Sequence, residues 1–254
     1  MASKPNLIRN SPGLLHAVAL VGSTEQATLR NIRKMARGAP PALYRSATEI
    51  VLATLKGTAA GVWTPAEGFE WAKTQAKSVP DEDKRRCAEQ VVQHLKPYFL
   101  ATRPQWVQSL SMEYYQAGPN LQIPVRLSAL MAVDGKFVVL VLHLWRKPLE
   151  LEQRQAAVAI LHNRLQQRPE LVEAEIHLVD ISVPEGHKDR EYRLSTWNNL
   201  TLMPPEALKA FTDRFYNAWQ IYLRDPDPNP RPSRPRKPKG DQGDLFKGDP
   251  PGKP

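Results

Sequence analysis

Ile123-Pro-Val-Arg-Leu-Ser-Ala-Leu-Met-Ala-Val133, then Asp134-Gly135, then Lys136-Phe-Val-Val-Leu-Val-Leu-His-Leu-Trp145 is the stretch that decides the fold class. Apolar side chains recur at every second position from Ile123 through Val125, Leu127, Ala129 and Met131 to Val133. That is the period of a strand with one buried face. Asp-Gly is a strong hairpin signal, because both residues tolerate the positive φ of a tight two-residue turn. The run from Phe137 to Trp145 is almost wholly apolar, which predicts a central strand buried on both faces.

Working downstream, Leu149 to Gln167 carries Ala157, Ile160, Leu161 and Leu165 at helical spacing. Glu173 to Val183 reads as a further strand and Tyr192 to Thr196 as a short edge strand. Pro204 and Pro205 open a last helix with Leu208, Phe211, Phe215 and Tyr222 on one side. Upstream, Trp106 to Tyr114 alternates as a strand. The first hundred residues read as helices. Ser23 and Gln26 suggest a capping box, and Pro40 and Pro41 open a helix that Gly57 ends. Thr64-Pro-Ala-Glu67 is a second capping box, and a helix from Asp81 to Lys96 stops at Pro97. The fold class is therefore α+β: N-terminal helices over 1–100, a mixed sheet with flanking helices over 101–223, and a tail over 224–254.

The order helix, three-stranded meander, helix, strand over roughly residues 81–185 is similar to the core of PD-(D/E)XK nucleases, especially the RecB-like branch. The Asp134-Gly135 hairpin and Gln153 and Gln155 at the start of the following helix add to the resemblance. The resemblance implies an Asp on the second strand, and an acidic residue, a spacer and a Lys on the third, holding a divalent cation. This chain departs from it. Leu130, Met131 and Ala132 stand where the Asp is expected, and Leu142-His143-Leu144-Trp145 has neither carboxylate nor Lys. A relocated metal site would draw first on Glu113, Asp134 and His143, with His177 and Asp180 as the other polar strand residues. No nucleotide-loop, serine-hydrolase or zinc-protease motif is present, and the sequence implies no cofactor.

The chain of 254 residues carries a net charge of +9, which favours phosphate polyanions, anionic membranes or acidic proteins as partners. Cys87 is the single cysteine, so no intrachain disulfide exists, and its charged helical setting fits a reducing, cytoplasmic compartment. No apolar stretch reaches the length of a membrane span.

From Arg224 onward the chain holds nine of its 24 prolines and one aromatic residue, a composition that does not fold alone. Arg231, Arg234, Arg236, Lys237 and Lys239 lie among three prolines with no acid between them. Proline keeps such a segment extended and its cations available for phosphate contact without base readout. A polyproline-binding partner and a plain solubilising linker remain open readings of the same segment.

Gln242-Gly-Asp244-Leu245-Phe246 follows directly. It resembles the pentapeptide Gln-x-(Asp/Ser)-Leu-Phe by which bacterial DNA polymerases and repair proteins dock on the sliding clamp. The resemblance implies Leu245 and Phe246 as apolar anchors and Gln242 as the polar one. The preferred reading is a DNA-associated adaptor that binds the bacterial sliding clamp through this peptide and contacts nucleic acid weakly. Its rivals are a metal-dependent nuclease with a relocated site and a protein–protein interaction module without a DNA role.

Overall fold

The computed structural model describes residues 12–36, 44–196 and 198–225. Pro40, Pro41 and Leu43, and every candidate binding residue of the tail, lie outside the described residues. The chain is α+β. Six helices come first: α1 (Leu14–Leu20), α2 (Glu25–Ala36), α3 (Arg45–Ala59), α4 (Pro65–Lys77), α5 (Glu82–His94) and α6 (Lys96–Ala101). Five strands follow: β1 (Pro104–Gln108), β2 (Glu113–Gly118), β3 (Leu121–Val125), β4 (Ala129–Val133) and β5 (Lys136–His143). Then come α7 (Leu151–Leu165), β6 (Glu175–Ser182), β7 (Glu191–Thr196) and α8 (Pro205–Arg224).

The main sheet has the order β1-β4-β5-β6-β7, and β2-β3 form a separate two-stranded ribbon. Only β5 and β6 pair in parallel, joined by the α7 crossover. The β4–β5 hairpin turns at Asp134 and Gly135, with φ of 48° and 77°. These are the positive values that the Asp-Gly pair predicts.

Helices cover the sheet on both faces. Val139, Val141, Ile176 and Leu178 point toward α1, α7, α8 and the ribbon, while Val138, Leu140, Val179 and Ile181 point toward α3 to α6. This double coverage explains the unbroken apolar run of β5. Among the described residues no helix is long and apolar enough to cross a membrane.

Several sequence expectations need correction. The alternating run from Ile123 to Val133 is two strands in two sheets. Pro124 cannot donate to a ladder, and it sits in β3, which has one neighbour, whereas β4 is paired on both sides. The parity of the buried residues inverts where the chain crosses over: Ile123, Val125 and Leu127 belong to the α7 core, but Ala129 and Met131 belong to the opposite one. Trp106 to Tyr114 likewise divides between β1 and β2. Thr24, not Ser23, caps α2, accepting the Ala27 N–H at 3.1 Å. Pro97 does not end the helical region but lies in the first turn of α6, where its missing N–H costs nothing. The short helix α1 had no separate signal. Its apolar residues Leu14, Ala17 and Val18 are buried against the α7 core. Gly57 lies inside α3 rather than ending it, and the left-handed residue beyond the helix is Gly61, at φ 69°.

Candidate functional site

In open sheets with helices on both faces, ligands bind outside the carboxyl ends of parallel strands. Here His143 ends β5 and pairs in register with Asp180, two residues before the end of β6. Both are 1% exposed, with His143 Nε2 3.9 Å from Asp180 Oδ1. The pair lies on the α7 face of the sheet.

The His143 tautomer follows from its partner. Nε2 lies 2.9 Å from the Lys147 carbonyl oxygen, which only accepts, so Nε2 carries the proton and Nδ1 is bare. Among the described residues neither that Nδ1 nor either Asp180 oxygen has a hydrogen-bond partner. Arg193 stands opposite Asp180 on β7, and the field of Asp180 also reaches Arg154 on α7.

His16 completes this cluster from α1, stacking on Trp145 with centroids 3.4 Å apart, while His143 meets the same indole edge-on at 4.9 Å. Burial, and secondarily the proximity of His143, lower the His16 pKa to about 4. Burial also pushes His143 down, with Arg190 acting in the same direction, and outweighs the opposing pull of Asp180 and the Lys147 carbonyl. Gln153 is a tie between helices rather than a site residue. Its side chain accepts the Glu150 N–H and donates to the Val21 carbonyl at 3.0 Å.

On the other face of the same sheet edge lies a cleft of about 580 Å³. Arg86, Arg146, Lys188 and Arg190 line it, with His94, against the two acids Asp83 and Asp189. Arg190 ties the two strand ends together: its Nη1 donates to the carbonyls of Leu144, after β5, and Ile181, on β6. Its Nε donates to Gln90 Oε1 and its Nη2 to the Tyr44 hydroxyl, both at 3.4 Å. Cys87 borders the cleft, and burial raises its thiol pKa despite Arg190, so it is not an activated nucleophile.

Glu113, Asp134 and His143 do not converge. Glu113 sits on the ribbon, ion-paired to Arg164 at 3.4 Å and Arg168 at 2.6 Å beyond the last turns of α7. Asp134 is at the hairpin that precedes β5 and His143 at its far end, so the whole strand, at roughly 3.3 Å per residue, separates them. His177 faces the opposite core and hydrogen-bonds the Tyr98 hydroxyl at 3.2 Å. Among the described residues no group of three or more His, Cys, Asp or Glu is placed to hold a metal ion.

Sequence reasoning singled out His143 and Asp180 separately, and the fold brings them together. It missed Arg190, Arg146 and Lys188, which come from two loops about forty residues apart and carry no local motif. No family model matches the chain, and a search of curated proteins finds no match.

Proposed function

We propose that this chain is a non-catalytic, DNA-associated adaptor whose C-terminal peptide docks on a bacterial-type sliding clamp. One observation carries the reading of the body. Strands β1, β4, β5 and β6 lie side by side with α7 joining the parallel pair, an order that supports the nuclease-like reading, and the positions where that family carries its metal carboxylates have none in this chain. Leu130 and Met131 on β4 are 7% and 0% exposed, and Leu142, His143, Leu144 and Trp145, at and just after the end of β5, include no carboxylate and no lysine. A hydrated divalent cation has no oxygen ligand there. The ribbon β2–β3 is inserted between the first two strands of that order.

The reading of the tail rests on Gln242, Asp244, Leu245 and Phe246 following a cationic, proline-spaced segment. Two adjacent apolar side chains have no use in a solvated linker, but they suit a shallow pocket on a partner. The basic segment, Arg231 to Lys239, adds sequence-independent attraction to phosphates next to the clamp.

The deciding measurement is calorimetric titration of the full chain into purified clamp. Binding around micromolar is expected, because a flexible peptide loses entropy on ordering. Burial of a phenylalanine side chain contributes about 1.5–3 kcal/mol, so Phe246→Ala should weaken binding at least tenfold. Equal binding by the Leu245→Ala/Phe246→Ala double variant would remove the clamp from the proposal. A second measurement addresses the rival nuclease. With Mg²⁺ or Mn²⁺ present, single- and double-stranded DNA should remain intact. Divalent-dependent cleavage abolished by Glu113→Ala or Asp134→Ala would establish a relocated site instead.

A further inference from the structure

Arg190 is 8% exposed, yet no carboxylate lies within ion-pairing distance of it among the described residues. Its acceptors are two backbone carbonyls, an amide oxygen and a phenol, all neutral. A guanidinium has five N–H donors. These four bonds use both protons of Nη1, the one on Nε and one on Nη2, leaving one beside the cleft. The Tyr44 ring lies 5.6 Å from the guanidinium carbon and holds its plane. A buried cation without a counter-charge is costly, and the usual resolution is an anion brought to it.

The cleft around it is built to admit one. Arg146 and Lys188 are exposed at its rim, and neither makes an ion pair with any described residue. Arg86 is held by Asp83 at 3.0 Å, so its charge is already answered. Three cations thus line the cleft without an ion pair among the described residues, one fixed with a single free N–H and two exposed, and Asp189 is the one further acid on the lining. That set suits a phosphate group, which can take one N–H of a fixed guanidinium on one oxygen and point charges around the others. A volume of about 580 Å³ falls within the range of small-ligand pockets.

We infer that the cleft between α5 and the ends of β5 and β6 binds the phosphate of a nucleotide, with Arg190 as the fixed donor and Arg146 and Lys188 as the closing cations. The inference rests on the DNA-associated reading only for the choice of a nucleotide as the phosphate carrier. It places a phosphate site in the folded body, separate from the basic tail.

The test is thermal unfolding of the full chain with three probes: inorganic phosphate, a nucleoside 5′-monophosphate, and a 5′-phosphorylated single-stranded tetranucleotide. A ligand that binds only the folded state, at a hundredfold excess over its Kd, should raise Tm by about 5 °C. The same rise is expected when the five tail cations from Arg231 to Lys239 are changed to Gln. In the Arg146→Glu/Lys188→Glu variant, altered only at exposed positions, the rise should fall below about 1 °C. Equal shifts from all three probes would assign the site to phosphate alone. A larger shift with the tetranucleotide would assign it to nucleic acid. No shift with any probe, or an undiminished shift in the double variant, overturns the inference. Clamp capture by the double variant should be unchanged, so failure of the cleft and failure of the tail are read separately.

Discussion

Gly57→Ala is expected to destabilise the protein by about 2 kcal/mol, against the usual direction for that substitution in a helix. Inside α3, alanine would ordinarily gain about 1 kcal/mol over glycine through reduced backbone entropy. At this position the new Cβ would lie 2.1 Å from Cζ2 and 2.5 Å from Cε2 of Trp63. The indole has little room to retreat. Its Nε1 donates to the Thr54 carbonyl at 3.2 Å, and its ring stacks on Trp71 with centroids 4.9 Å apart. Gly68 of α4 closes the other side, its hypothetical Cβ only 2.7 Å from Trp63 Cδ1. Overpacking of this kind costs about 1–3 kcal/mol, and two rigid contacts this close place it at the upper end. Urea unfolding measures the loss. The double variant Gly57→Ala/Trp63→Ala gives the cause: without the indole, alanine at 57 should recover its intrinsic advantage. An additive cycle would show that Trp63 is not the obstacle.

The same glycine shows where the sequence was legible and where it was not. A glycine near the end of a helical run reads as a stop, because local propensity is all that one chain segment displays. Its real role is set by a tryptophan six residues later and by a second glycine eleven residues later. The Asp134-Gly135 turn was legible because its chemistry is local. So were the Thr64 capping box, where Thr64 accepts the Glu67 N–H and Glu67 accepts the Thr64 N–H, and the start of α8 at Pro205. The division of Ile123 to Val133 was not legible. Its two-residue period is nearly continuous, and the crossing between cores is made by Ser128, whose N–H reaches the Leu140 carbonyl and whose hydroxyl takes the Leu142 N–H. Nothing in the local pattern marks that exchange. The cleft was hidden for a different reason. An arginine in a loop reads as a solvated charge, and only the tertiary structure reveals that Arg190 is buried between two strand ends. The one signal that bears on it is a +9 chain, whose surplus the tail alone does not exhaust.

Acidification from pH 7 to pH 5 should destabilise the protein. His16, His143 and His177 are all held below the ordinary histidine pKa, in each case mainly by burial. A group whose folded-state pKa is depressed takes up its proton in the unfolded chain first. Its contribution is therefore present above about pH 6.5 and is lost as pH falls toward the folded-state value. For His16 that window runs down to about pH 4. A single histidine that stays neutral in the fold across this range removes about 2 kcal/mol between pH 7 and pH 5. His143 is the decisive one, since its side chain is fully buried and its ring faces Asp180, Trp145 and the field of Arg190. Asp180 alone would favour the imidazolium, but burial and Arg190 prevail. The caps on Glu67 and Asp81 hold those two carboxyls below their usual range, so they stay ionised at pH 5. Urea unfolding of the full chain at pH 7 and pH 5 should show the loss. His143→Gln keeps a donor for the Lys147 carbonyl but cannot titrate, so it should reduce the loss between the two pH values. If His143→Gln loses as much stability on acidification as the parent chain, the sensitivity lies at His16, His94 and His177, and the buried His143–Asp180 pair does not set it.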